Sequence, residues 1–252
     1  MTIANFVKTW KEYQGEEIIK SVNYVDGQQV LDKVVYPKIS YPIKTKGYAI
    51  VLGNGVSRSM LTVDQYYNSN GGLRNKYKAE TYGCNAIYRD GLVDHLVINN
   101  YNMLQDAIDQ KLYNRIGIYT HYSYCLKIGN MNKVRLIPQR LIADSGTMAL
   151  YLACFHGNHT VWMVGFDHLP GKDTNVYEGT EHYADTHTEE ECRKWVEAQD
   201  QIMKMYPEVS FIRVTKSPGK NRNNIWLSNG NYTEITNDEF IKAADIGLVT
   251  IE

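Results

Sequence analysis

The chain has 252 residues and carries 27 Lys and Arg against 28 Asp and Glu, for a net charge of -1. That length can bury a sizeable core, and that charge supplies no global basic field to hold a polyanion. Hydrophobic residues are 43% and charged residues 22%, and the longest apolar runs fall far short of the roughly 20 residues that span a bilayer.

The start, MTIANFVKTWKEYQ, lacks the cationic-then-apolar pattern of a secretory signal, so a cytoplasmic protein is expected. Cys84, Cys125, Cys154 and Cys192 are scattered without a CxxC pair, as reduced structural thiols are. Residues 1–45 read as an N-terminal extension or cap, with a short helix near 4–13 and a strand near 29–36. Residues 46–252 read as a single α/β domain.

Within that domain the elements alternate. The continuous apolar run at 48–52 predicts a buried parallel strand. Strands are also expected at 81–88, 93–98 and 116–119, and a helix at 101–111 with Met103, Leu104, Ala107 and Ile108 on one side. Asp144, Ser145 and Gly146 can start a helix over 147–155, which Gly157 ends. A strand at 160–164 runs into Gly165-Phe166-Asp167-His168. A helix follows at 189–206, opening with three acids, then a strand at 210–214 and a short helix at 238–244. The pattern predicts a mostly parallel central sheet flanked by helices, Rossmann-like in class. Ligands of such sheets sit at the carboxyl ends of strands, which points to residues 53–58, 99–102 and 165–168.

Several residues at those ends have two readings. Gly53-Asn54-Gly55, followed by Ser57, is either a turn or a cradle in which the backbone can approach an anion. Arg58 stands where a dinucleotide fingerprint has its third small residue. Asp144-Ser145-Gly146-Thr147 is an N-cap or a second donor-rich helix start. Asn85, Asn99 and Asn100 serve turns, or read base edges and sugar hydroxyls. Asp167 accepts from a sugar hydroxyl or caps a turn. His182, Tyr183, Asp185 and His187 are the densest ionisable group, either a polar surface loop or the source of a general base. His156 and His159 have HxxH spacing, but Gly157 breaks the helix between them, and no Asp-x-Asp occurs, so no metal site is expected.

Taken in order, Gly53-Asn54-Gly55, Cys84-Asn85, Asn99-Asn100, Ser145-Gly146, Gly165-Phe166-Asp167 and a His-Tyr-x(n)-His loop before a helix resemble the family-42 glycosyltransferases. These are bacterial sialyltransferases that use CMP-sialic acid. The same pieces touch a related group, protein of unknown function 115, and the resemblance spans about residues 48–195. The stretch TYGCNAIYRD is similar in flavour to proteins of large tailed bacteriophages.

The resemblance implies a variant GT-A type fold that needs no metal. Asn54, Asn85 and Asn99 would contact the donor nucleotide and its phosphate, Ser145 and Gly146 the nucleotide and leaving phosphate, and Asp167 the nucleotide sugar. Leu169 stands where the family has a phosphate-stabilising tyrosine, which leaves Tyr177, Tyr183 or His168 for that task. His187 fits the family's base with one residue inserted, and His182 is the alternative. A metal-independent glycosyltransferase is therefore expected, with a CMP- or UDP-type nucleotide-sugar as donor substrate and no other cofactor. Its acceptor would be a saccharide or, given the phage-like flavour, a hydroxylated base in DNA within a host cytoplasm. For DNA, Lys216, Lys220 and Arg222 offer a basic loop. A magnesium-dependent diphosphate or nucleotidyl transferase and a non-catalytic nucleotide-binding module are the alternatives.

Overall fold

The computed structural model describes residues 7–14, 17–25, 28–31, 47–60, 79–128, 133–137, 143–183, 186–218 and 224–245. The first three strands form a sheet of their own. β1 (Val7–Gln14), β2 (Glu17–Val25) and β3 (Gln28–Leu31) pair antiparallel in that order, with a register shift at Glu12/Tyr13. The helix expected at 4–13 is thus a strand where it is described. Val7, Trp10 and Tyr13 are spaced like a helix face, but β-branched and aromatic residues suit a pleated strand, and pairing with β2 decides. The strand expected at 29–36 is seen as Gln28–Leu31; its remainder lies outside the described residues.

The second sheet is parallel throughout. Its strands are β4 (Tyr48–Leu52), β5 (Glu80–Cys84), β6 (His95–Ile98), β7 (Gly117–Thr120), β8 (Arg135–Leu136), β9 (Thr160–Val164), β10 (Ser210–Val214) and β11 (Tyr232–Ile235). Their order is β11-β10-β9-β4-β5-β6-β7-β8. The chain therefore builds outward from β4 to β8, returns to the other side of β4, and builds outward again from β9 to β11. This is the α/β, Rossmann-like architecture. The strand order reverses between β4 and β9, where connections leave in opposite directions and a crevice opens at the carboxyl ends.

The α-helices among the described residues are α1 (Tyr101–Asp109), α2 (Tyr122–Ile128), α3 (Ser145–Phe155), α4 (Glu189–Met205) and α5 (Asn237–Asp245). Alternation along β4 and β9 divides the core. Ile50, Leu52, Trp162 and Val164 join Met103, Leu104 and Phe240 in one cluster, whereas Ala49, Val51, Val161 and Met163 join α3 in the other. Every residue of α3 is buried, because the helix packs against β4, β5, β6, β9 and α4. An apolar-all-round sequence, SGTMALYLACF, suits that place. At the far edge Arg213 of β10 pairs with Glu234 of β11 at 3.2 Å, both almost fully buried. No described helix is long and apolar enough to cross a membrane.

The strand expected at 81–88 ends at Cys84, and Asn85–Arg89 turns as a 3-10 helix. Asn85 has φ 48°, a left-handed value that asparagine tolerates and a β-strand cannot contain.

Both glycines after β4 answer a packing demand. A Cβ on Gly53 would lie 2.4 Å from the Gly165 carbonyl oxygen, and one on Gly55 would lie 2.5 Å from Asp167 Oδ2 and 2.7 Å from that same carbonyl. Gly53→Ala is therefore expected to destabilise the fold by roughly 1–3 kcal/mol, as overpacking does. Gly230→Ala, whose Cβ would meet nothing within 4 Å, should stay within about 0.5 kcal/mol. Urea unfolding of the two variants checks the difference.

Candidate functional site

The turn after β4 is laced to the end of β9. Gly53 N–H donates to the Val164 carbonyl at 2.7 Å and Gly55 N–H to the Gly165 carbonyl at 2.9 Å. Ser57 N–H donates to Asp167 Oδ2 at 2.7 Å. Gly165 itself has φ 76°, so the β9 end folds back into the turn only because it lacks a side chain.

Asn54, between the glycines, is a hub. Its Nδ2 donates to the Tyr183 hydroxyl at 2.6 Å, and its Oδ1 accepts from Arg58 Nη1 at 3.3 Å. Arg58 is buried; its Nη2 pairs with Asp90 at 3.0 Å and its guanidinium lies 5.0 Å from the Tyr177 ring centre. The Tyr177 hydroxyl donates to Asp90 as well. The arginine that breaks the dinucleotide pattern thus ties the β4 turn to the turn after β5.

A second network sets the start of α3. Asn85 Oδ1 accepts from Ser145 Oγ at 2.8 Å and from Asn99 N–H at 3.2 Å, and Asn99 Nδ2 donates to the Ala143 carbonyl at 3.2 Å. Asp144 caps the helix, accepting from Thr147 N–H at 2.9 Å and from the Thr147 hydroxyl. Burial pushes the Asp144 carboxyl above the ordinary carboxylate range. Gln199 Nε2 donates to the Thr147 hydroxyl at 3.0 Å, and its Oε1 holds His168 Nε2 at 2.8 Å. His168 has φ 49°, and its ring packs among Phe166, Trp195 and Trp226. Burial pushes its pKa down to about 4, so the imidazole is neutral near pH 7.

These networks wall a cleft at the switch point, of about 660 Å³ including the space at its open mouth. Gly53, Asn54, Gly55, Asn85, Ser145, Gly146, Asp167, His168, Tyr183 and His187 all line it. Ser57, Asn99, Tyr177 and His182 are not among its lining residues. Asn99 is spent on the loop before α3. Tyr177 is buried against Arg58 and Asp90, and His182 sits at the surface with φ 69°, 3.4 Å from Glu181. Tyr183 and His187, by contrast, line the cleft. Asp185 lies outside the described residues.

His187 is held by its backbone, which exchanges hydrogen bonds with Gly171 at 2.9 and 3.3 Å, and its ring meets Trp195 edge-on at 5.0 Å. Its Nε2 is buried and has no hydrogen-bond partner among the described residues; the same holds for Thr174 Oγ1, also in the cleft wall. Such orphaned polar atoms are costly unless something else satisfies them. Cys84 reaches the cleft too, but burial pushes its thiol up to about 12 and Sγ donates to the Leu52 carbonyl at 3.6 Å, so it is no thiolate nucleophile. All four cysteines are free and buried.

The sequence reading missed Thr174, Asn175 and Trp195. Trp195 shares a helix face with Cys192 and Gln199, a spacing that could have flagged it. A wider groove continues from the cleft past Asp167, His168, Leu169 and Thr174. Its rim mixes Lys172, Arg193 and Lys216 with Asp173, Glu189 and Glu190, and the buried Ser57 Oγ has no partner among the described residues there. Comparison of the chain with family models, with curated proteins and with solved structures finds no match.

Because the folded pKa of His168 lies below its unfolded value of 6.5, its contribution to stability is full above pH 6.5 and is lost as pH falls towards 4. That loss is worth up to about 3 kcal/mol. Asp144 shifts the opposite way, so the comparison must be between variants. His168→Gln should flatten the slope of unfolding free energy between pH 6.5 and 4, measured by urea titration at each pH.

Proposed function

We propose that the cleft binds a nucleotide-linked sugar and that the protein transfers this sugar to an acceptor hydroxyl, with His187 as general base. The observation that carries the proposal is the His187 Nε2, buried and without a partner among the described residues, in the wall of a switch-point cleft. An unpartnered imidazole in the wall of such a cleft is the kind of group that takes a proton.

The other groups suit the same chemistry. Ser145 and Gly146, at the start of α3, line the cleft, and helix starts favour phosphate. Tyr183 keeps its proton, because burial pushes its pKa far up, and can donate to the departing phosphate oxygen. Asp144 and Asp167 are both committed to protein donors, which supports a transfer that does not rely on a cleft metal. The acceptor would approach along the adjoining groove. Its mixed charges favour a saccharide over DNA, whose phosphates demand a consistently basic track.

The test is a thermal-shift screen with CMP, UDP, GDP and ADP and their sugar derivatives, with and without EDTA. One nucleotide at 100 times its Kd should stabilise by about 2.7 kcal/mol. His187→Ala should keep that shift and lose roughly 10²–10⁴-fold in transfer, whereas Thr174→Val should weaken binding. Turnover that survives His187→Ala would remove the base assignment, and activity abolished by EDTA would favour a nucleotidyl or diphosphate transferase.

A further inference from the structure

The end of the sheet opposite the cleft carries a second group of side chains. Glu80 opens β5, His95 opens β6, and His156 follows the last turn of α3. One ligand atom from each lies within 4.8 Å of the other two. His95 Nε2 is 3.8 Å from Glu80 Oε2, and the His95 and His156 rings meet edge-on with centroids 4.8 Å apart. We propose that Glu80, His95 and His156 bind one divalent transition-metal ion of the class that takes imidazole and carboxylate together, such as zinc.

Tyr82 is the observation that turns a cluster into a site. Its hydroxyl donates to Glu80 Oε2 at 2.7 Å and accepts from Asn158 Nδ2 at 3.1 Å. Its remaining lone pair faces His156 Nδ1 at 2.9 Å. The one hydroxyl proton is given to the carboxylate, so the hydrogen in the contact with His156 belongs to Nδ1. In the neutral imidazole the lone pair is then on Nε2. Metal-binding histidines are oriented in this way, by a partner that takes the hydrogen of the other ring nitrogen. Tyr82 also stacks on the His95 ring at 4.6 Å, holding the second imidazole beside the first. A single hydroxyl thus positions the carboxylate and one imidazole, and its ring positions the other.

His156 stands at the carboxyl end of α3, where the helix dipole is negative, and Glu80 adds a charge. A tetrahedral ion with bonds of roughly 2.0–2.2 Å would draw the three atoms to about 3.4 Å apart. Such a site keeps a fourth position for water. A polar depression of about 760 Å³, lined by Glu80, Asp94, His95, Arg115 and Arg135, gives solvent a path to it. The ion would pin β5, β6 and α3 together at the end remote from the cleft, about 13 Å along β5 at 3.3 Å per residue. The proposal stands whether or not the cleft transfers a sugar.

Metal-stripped full-length protein should be titrated with ZnCl₂ by calorimetry and with CoCl₂ by visible absorption, with MgCl₂ as control. One zinc per chain, a raised melting temperature, and an intense four-coordinate cobalt band are expected, with no response to magnesium. His156→Gln and Glu80→Gln should each weaken zinc binding at least 100-fold, and Tyr82→Phe by roughly 10–100-fold. Zinc-edge X-ray absorption of the unaltered protein should report two imidazoles, a reading independent of whether any variant folds. No stoichiometric zinc, zinc affinity unchanged in all three variants, or sulfur ligation in the absorption spectrum would each overturn the assignment.

Discussion

The close approach of two backbones at the switch point is the constraint on which the rest depends. The turn after β4 touches the end of β9 so tightly that Gly53, Gly55 and Gly165 leave no room for a Cβ at any of the three. Three donors cross this seam, from Gly53, Gly55 and Ser57. With the two strand ends closed on each other, the cleft wall cannot be built from them alone. It is completed by the chain that follows β9, with Asn175 bridging to Gly55 and His187 to Gly171. The glycines therefore serve packing directly and shape the cleft indirectly: they bring Asp167 and the His187 segment to the cleft that the start of α3 also lines.

α3 carries that geometry through the molecule. A helix buried on every side has no solvent to satisfy its ends, so both must be met by side chains. At its start Asp144 and Ser145 are bound into networks reaching Asn85, Gln199 and His168. At its end His156 and Asn158 are bound to Tyr82. The same burial that makes α3 the centre of one core cluster thus generates polar clusters at both ends of the sheet. One opens into the cleft, and the other gathers Glu80, His95 and His156.

The parts of the fold legible in sequence are those whose signal is local. β4 and β9 are continuous apolar runs between breakers and lie at the bounds their composition indicates. α4 announces itself by the three acids at its start, and one of them, Glu191, forms a reciprocal cap with Thr188. β11 was not legible, because YTEI carries a glutamate whose burial makes sense only beside Arg213, 21 residues earlier. β1 was misread because its aromatic spacing fits a helix until a partner strand is known. The same division holds at the cleft. Glycines and asparagines at strand ends are visible as such, whereas the outward His182 and the inward Trp195 depend on one left-handed residue and on the rotation of a helix.

The distribution of unsatisfied polar atoms separates support from use. Asn54, Asn85, Ser145, Asp144, Thr147, Gln199 and His168 are buried or half-buried, and each is bound into a network with its neighbours. They hold shape, and a ligand would gain little from groups already engaged. His187 Nε2 and Thr174 Oγ1 stand in the same wall with nothing among the described residues to meet them. The wall thus satisfies most of its polar groups internally and leaves these two unmet. Unmet polar atoms of this kind are the ones that a bound hydroxyl or phosphate oxygen would relieve.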